Sequence, residues 1–171
     1  MKKWLFLGLI VLLVCILLPM GAGAAGANTN VTANVVQVLD LQTNGSISNW
    51  QLAVGDNYNT SAALAVNSTG DWAVTAQDAQ DFGKTTGIGY LANWTGSAWG
   101  IGNLSTPLQV KTTANGTYIS LTGTAQGLDT GGAKSAYYDQ MTFWQHVNYG
   151  DTLLKGSNIY RIMVQFTGNL M

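Results

Sequence analysis

Short runs in which apolar and polar residues alternate with a period of two recur along most of the chain, and this pattern constrains the fold more than any other feature. A strand points successive side chains to opposite faces, so alternation marks one buried and one solvated face. The stretch VTANVVQVLDLQ, residues 31–42, puts Val31, Ala33, Val35, Leu39 and Leu41 on one face, with Gln37 the exception. NWQLAV alternates Trp50, Leu52 and Val54; AALAV alternates Ala62, Leu64 and Val66; WAVTAQD alternates Trp72, Val74 and Ala76. PLQVKTT, TYISLTG, YYDQMTFWQHV and IYRIMVQFT add further strands. About eight strands at short intervals predict an all-β fold, an antiparallel Ig-like or jelly-roll-like sandwich. Composition agrees, since all 8 acidic residues are Asp and the chain is rich in Gly, Thr, Asn, Val and aromatics, which favour strands and turns over helices.

The beginning of the chain reads differently. MKK precedes the apolar run Trp4 to Met20, and the small-residue stretch GAGAAGA follows, which is the layout of a secretory signal peptide. We expect residues 1–27 to be a leader, with cleavage after Ala27, and residues 28–171 to form a single β-sandwich domain. The membrane enters this reading only through an uncleaved leader. Cys15, the one cysteine, lies inside the apolar run, so the mature chain has no disulfide to form. Without Lys2 and Lys3, five basic side chains face eight acidic ones, and no basic patch offers a nucleic-acid surface.

Two intervals lack clear alternation. Phe82 to Thr106, rich in glycine and aromatics, reads as a long excursion from the sandwich, and Gly127 to Ser135 reads as a flexible connection. The stretch GDNYNTS reads as a turn.

Candidate chemistry is sparse. His146 shares a period-two face with Trp144 and Tyr138, but no nucleophile motif accompanies it. Asp78 and Asp81, three residues apart, read as carboxylates solvating a turn. The same two, or Asp129 and Asp139, are the available oxygen ligands for calcium, yet no D-x-D-x-D-G loop is present. No catalytic residue, metal ligand set or cofactor motif is assigned, and the protein is expected not to be an enzyme.

Two other features stand out. Asn-x-Ser/Thr sequons occur at Asn30, Asn44, Asn59, Asn67, Asn93, Asn103 and Asn115, several of them at expected turns where a glycan could be carried. Among the aromatics, Trp50, Trp72 and Trp144 alternate with aliphatics and read as core. Trp94 and Trp99, in NWTGSAWG, fall in the irregular excursion and are candidates for a sugar-stacking platform.

The stretches STGDWAVTAQDA, STPLQV and GSNIYRIMVQFTG together resemble small secreted β-sandwich proteins of prokaryotic, especially archaeal, cell surfaces, including pilin-like and WxL-like domains. The likeness is a pattern of strands spread over most of the mature chain, without the paired WxL motif or a retained pilin helix. It implies an envelope component, adhesin or fibre subunit whose partners are copies of itself or other surface proteins, with carbohydrate as a second class. The reading that follows is a secreted, N-glycosylated structural protein in which Val31, Ala33, Val35, Leu39 and Leu41 form a strand donated to a neighbour. The alternative is a carbohydrate-binding or adhesive module that uses Trp94 and Trp99.

Overall fold

The computed structural model describes residues 30–44, 46–151 and 153–171. The expected leader, residues 1–27, lies outside them. Residues 30–34 are exposed and carry no strand, and every strand falls within Val35–Met171. The strands are β1 (Leu39–Thr43), β2 (Gly55–Asn59), β3 (Ala63–Ser68), β4 (Trp72–Asp78), β5 (Ala92–Trp94), β6 (Trp99–Asn103), β7 (Gln109–Thr112), β8 (Ile119–Ser120), β9 (Gln126–Gly131), β10 (Lys134–Val147), β11 (Ile159–Arg161) and β12 (Val164–Leu170).

These strands make an antiparallel β-sandwich. One sheet runs β1-β3-β10-β7-β8, with β2 also paired to β10; a second runs β12-β4-β9; a small third sheet runs β11-β5-β6. The 14-residue β10 organises the first sheet. Its first half pairs with β3, Tyr138 opposite Ala65, and its second half pairs with β2, Trp144 opposite Tyr58, while β7 lies along the other edge with Gln109 opposite Trp144.

The alternating residues meet between the sheets. Leu64 and Val66 of β3, Val110 of β7 and Met141 of β10 pack with Trp72, Val74 and Ala76 of β4 and Leu128 of β9. Leu64, Val66, Val74 and Val110 are fully buried, and burial of such side chains contributes about 1.5–3 kcal/mol each. Two glycines permit close approach. A Cβ on Gly131 would lie 2.5 Å from the Trp72 indole, and one on Gly168 of β12 would lie 2.8 Å from Leu39. Leu39 and Leu41 of β1 therefore cover the β12 backbone and join the core from its side.

Several local expectations differ from what forms. The strand expected from residue 31 begins only at Leu39, and Val31, Val35, Val36 and Val38 are exposed. NWQLAV is not a strand, although Trp50 packs against the core, and the expected turn GDNYN is β2. Pairing with β10 overrides the turn chemistry here. The Asn57 side chain supports it, accepting from Ala53 N–H at 2.9 Å and donating to the carbonyls of Ala53 at 2.7 Å and Gln145 at 3.2 Å. The interval 82–106 is not wholly irregular, since β5 and β6 lie in it and pair with each other, and β5 pairs with β11. The connection 127–135 is mostly strand, with the Trp72 indole donating to the Gly132 carbonyl at 3.0 Å where the chain turns. Trp144 is not core: Gln145 is fully buried, so the alternation of β10 puts Trp144 on the outer face.

Candidate functional site

Two of the four charged residues buried among the described residues, Asp78 and Lys84, meet where the end of β4 faces the small sheet. Asp78 closes β4 with its carboxylate turned inward, and Lys84 reaches it across the tight turn at residues 81–83. Their side chains are both fully buried and 2.7 Å apart. Asp78 also accepts from the N–H groups of Gly89 at 2.8 Å and Gln80 at 3.0 Å, and Lys84 donates to the Tyr90 carbonyl at 2.9 Å. A buried ion pair needs such added hydrogen bonds to offset its desolvation. The Lys84 ammonium also lies 4.9 Å from the centre of a Trp99 ring.

Next to this pair stands an aromatic cage around a second cation. The Arg161 guanidinium, from β11, lies 4.5 Å from a Trp94 ring, 5.3 Å from Phe82 and 5.4 Å from Trp99, and its Nη2 donates to Asp81. Trp94 and Trp99 meet edge to face at 5.0 Å, and Phe82 contacts Trp94 at 5.1 Å. The Trp99 indole donates to the Asp81 carbonyl at 2.7 Å. Phe82 and Gln80 have left-handed backbones, at φ 50° and 52°. For residues other than glycine that conformation costs energy and persists where the surroundings impose it. Asp81 Oδ1 and Arg161 Nη1 are buried without a hydrogen-bond partner.

Trp94 and Trp99 are thus brought together. A ring that stacks a sugar must offer a face to solvent; Trp94 is 8 % exposed, with Phe82, Trp99 and the guanidinium packed around it. Asp78 and Asp81 do not share a site or solvate a turn, because each is taken by its own cation. Sequence reasoning missed both cations. The available signal was their setting, single basic residues within FGKTTGIGY and NIYRIMV, where apolar and glycine neighbours leave little room for a solvated chain.

Asp129 and Asp139 do come together. Tyr137 is within hydrogen-bonding distance of both, its hydroxyl 3.2 Å from Asp129 and 3.3 Å from Asp139, and the Ala114 N–H donates to Asp139 at 2.8 Å. Burial pushes the Asp129 carboxyl above its ordinary value, and the charge of Asp139 adds to this, against hydrogen bonds from Thr130 and Tyr137 that lower it. Burial, and then the two carboxylates, raise the Tyr137 phenol. Among the described residues no three His, Cys, Asp or Glu side chains gather as a metal-binding group. His146 Nδ1 is 2.6 Å from Asp56 on the outer face of the first sheet, and among the described residues no Ser, Thr or Cys hydroxyl or thiol bonds the imidazole.

The sequons fall in different environments. Asn30 is exposed and outside any strand. Asn59 accepts from Ser61 N–H at 3.0 Å, with its amide nitrogen outside that contact. The amide nitrogens of Asn44, Asn67, Asn103 and Asn115 donate to Ser61, Asp40, Leu104 and Leu128 respectively. Asn93 is the most confined: its Nδ2 donates to Ile101 at 3.1 Å and sits 2.7 Å from where a Cβ on Gly100 would be, and its Oδ1 is buried and unpartnered.

Of the residues expected to donate a strand, Leu39 and Leu41 lie in β1, paired with β3 of the same chain. Val31, Ala33 and Val35 are exposed ahead of it. No helix among the described residues is long and apolar enough to cross a membrane. The chain matches no family model, and no curated protein matches it.

Proposed function

We propose that the protein is a secreted, N-glycosylated structural subunit of a cell surface that assembles by strand donation. The observation that carries this reading is the exposed apolar extension of an edge strand. Val31, Val35 and Val36 are 83 %, 86 % and 72 % exposed, and they lead directly into β1, which ends the first sheet. Exposed β-branched residues beside an open sheet edge add readily to another sheet, whose unpaired N–H and C=O groups give affinity and whose alternate pockets give register. Donation from each copy to the next need not close, so it extends into a filament. The leader-like beginning and the seven sequons support placement outside the cell.

Deletion of residues 28–38 from the secreted chain tests this reading, because it leaves Leu39 and Leu41 in β1. The expected result is a folded subunit that forms no filaments by electron microscopy and light scattering, with assembly of the intact protein inhibited by a synthetic peptide of residues 28–38. A deletion variant that assembles as well as the intact chain overturns strand donation.

A further inference from the structure

The outer face of the first sheet carries a row of rings that the strand-donation reading does not use. Alternation along β10 sends Met141, Phe143 and Gln145 inward and Thr142, Trp144 and His146 outward. β2 sets Tyr58 opposite Trp144 and Asp56 opposite His146. On the other side β7 sets Gln109 opposite Trp144, and β8 sets Ser120 opposite Gln109. Tyr118, just ahead of β8, brings its ring to 6.3 Å from that of Trp144, and the His146 ring lies at the same 6.3 Å distance on another side. Tyr58, 57 % exposed, is near enough to Tyr118 that it adds to the effect of burial in raising the Tyr118 phenol. Two strands, β10 and β2, and the approach to β8 thus present four rings on one sheet face.

Hydrogen-bonding groups stand among these rings. Gln109 donates to the Ser120 hydroxyl at 3.1 Å, the His146–Asp56 pair sits beside Trp144, and the Lys111 ammonium lies 4.6 Å over the Tyr118 ring. Among the described residues no protein acceptor takes the Trp144 indole N–H, and no protein group bonds the hydroxyls of Tyr58 and Tyr118. Among the described residues the charges beside the rings are of both signs, the Lys111 ammonium over Tyr118 against Asp56 at His146 and Asp151 near it, so no strong field of one sign covers the rings. The face is therefore poorly matched to a polyanion or a cationic peptide, and it does not present the continuous apolar surface that a helix or a second sheet would need. What it matches is a neutral ligand with apolar C–H faces and many hydroxyls, the combination that amphipathic rings with free polar tips take up.

We propose that Trp144, Tyr58 and Tyr118 form a binding platform for a neutral pyranose polysaccharide, with Gln109, His146 and Asp56 as hydrogen-bonding partners for its hydroxyls. This site is distinct from Trp94 and Trp99 and independent of strand donation, so either proposal can fail with the other intact.

The test uses the intact mature protein, with cellohexaose, chitohexaose and mannohexaose as probes, because extended β-linked chains present successive ring faces in one ribbon. Binding is followed by the indole N–H resonances, Trp144 being assigned with the Trp144→Phe variant. The expected result is that at least one hexasaccharide shifts the Trp144 resonance while that of Trp72 stays in place. Tyr58→Ala, at an exposed position, is expected to weaken that binding roughly tenfold without changing the mass seen by light scattering. The proposal is overturned if none of the three shifts Trp144 at about 10 mM. It is equally overturned by a shift that Tyr58→Ala leaves unchanged, or by an oligomer of the intact protein that Tyr58→Ala disperses, which would make this face an interface between copies.

Discussion

Single residues decide the stability of this molecule where charge has been taken out of water. Lys84 and Asp78 are both fully enclosed, so removing one partner leaves the other uncompensated. Lys84→Met is expected to destabilise the fold by about 3–5 kcal/mol, and Lys84→Met with Asp78→Leu by distinctly less, because the double change removes both desolvated charges. Urea denaturation of the two variants checks this, and equal losses would show that the ion pair itself has little weight. Asp129 offers a test by pH. Its carboxyl is raised chiefly by burial, so the native state binds a proton more readily than the unfolded chain. The stability this gives is fully present below the unfolded value and is lost as pH rises through the native one. Asp129→Asn, which keeps the shape but not the charge, should therefore match the native protein at about pH 3 and gain on it progressively toward pH 7. Urea midpoints across that range measure the difference, and a gap that narrows with rising pH would contradict the assignment.

At the level of strands, what could be read from sequence was the alternation wherever the local pattern and the tertiary partner agree. Ala62, Leu64 and Val66, and Trp72, Val74 and Ala76, point to the core as their spacing requires. Where the partner decides, the pattern misleads. Gly55 to Asn59 has turn composition, and β10 makes it a strand. Gln145, a polar residue buried at an inward position, donates from its amide to the carbonyls of Thr106 at 3.0 Å and His146 at 2.8 Å; it thereby reverses the face expected for Trp144. Val31 to Val38 has the alternation of a strand, but its hydrogen bonds among the described residues are only those of Val36 and Val38 with Thr69, which do not make a ladder, so pattern alone set the start of β1 too early. That Trp94 and Trp99 belong together was legible from their place in the one stretch NWTGSAWG. Their shared cation was not, because Arg161 arrives from a strand some sixty residues further along the chain, and separation of that kind leaves no local trace.

Over the molecule as a whole, the placement of the sequons sets an expectation for which of them could carry glycan. Asn30 and Asn59 present amide nitrogens outside the hydrogen bonds that hold the other sequon side chains, whereas Asn93 is wedged against Gly100. Glycopeptide mapping of protein from its source is expected to find Asn30 and Asn59 occupied and Asn93 bare; full occupancy at Asn93 with none at Asn30 would contradict this placement. The order of strand pairing has a further consequence, for synthesis and export. The first sheet is joined through β10, and β4, the middle strand of the second sheet, waits for β12, whose Leu170 pairs with Trp72. Neither sheet can close until the last third of the chain is present, and such distant pairings form slowly because their loops must close first. Under the secretion proposed above, a growing chain with this topology closes no premature domain that would block a translocation channel, and its folding would be deferred to the compartment in which it is released.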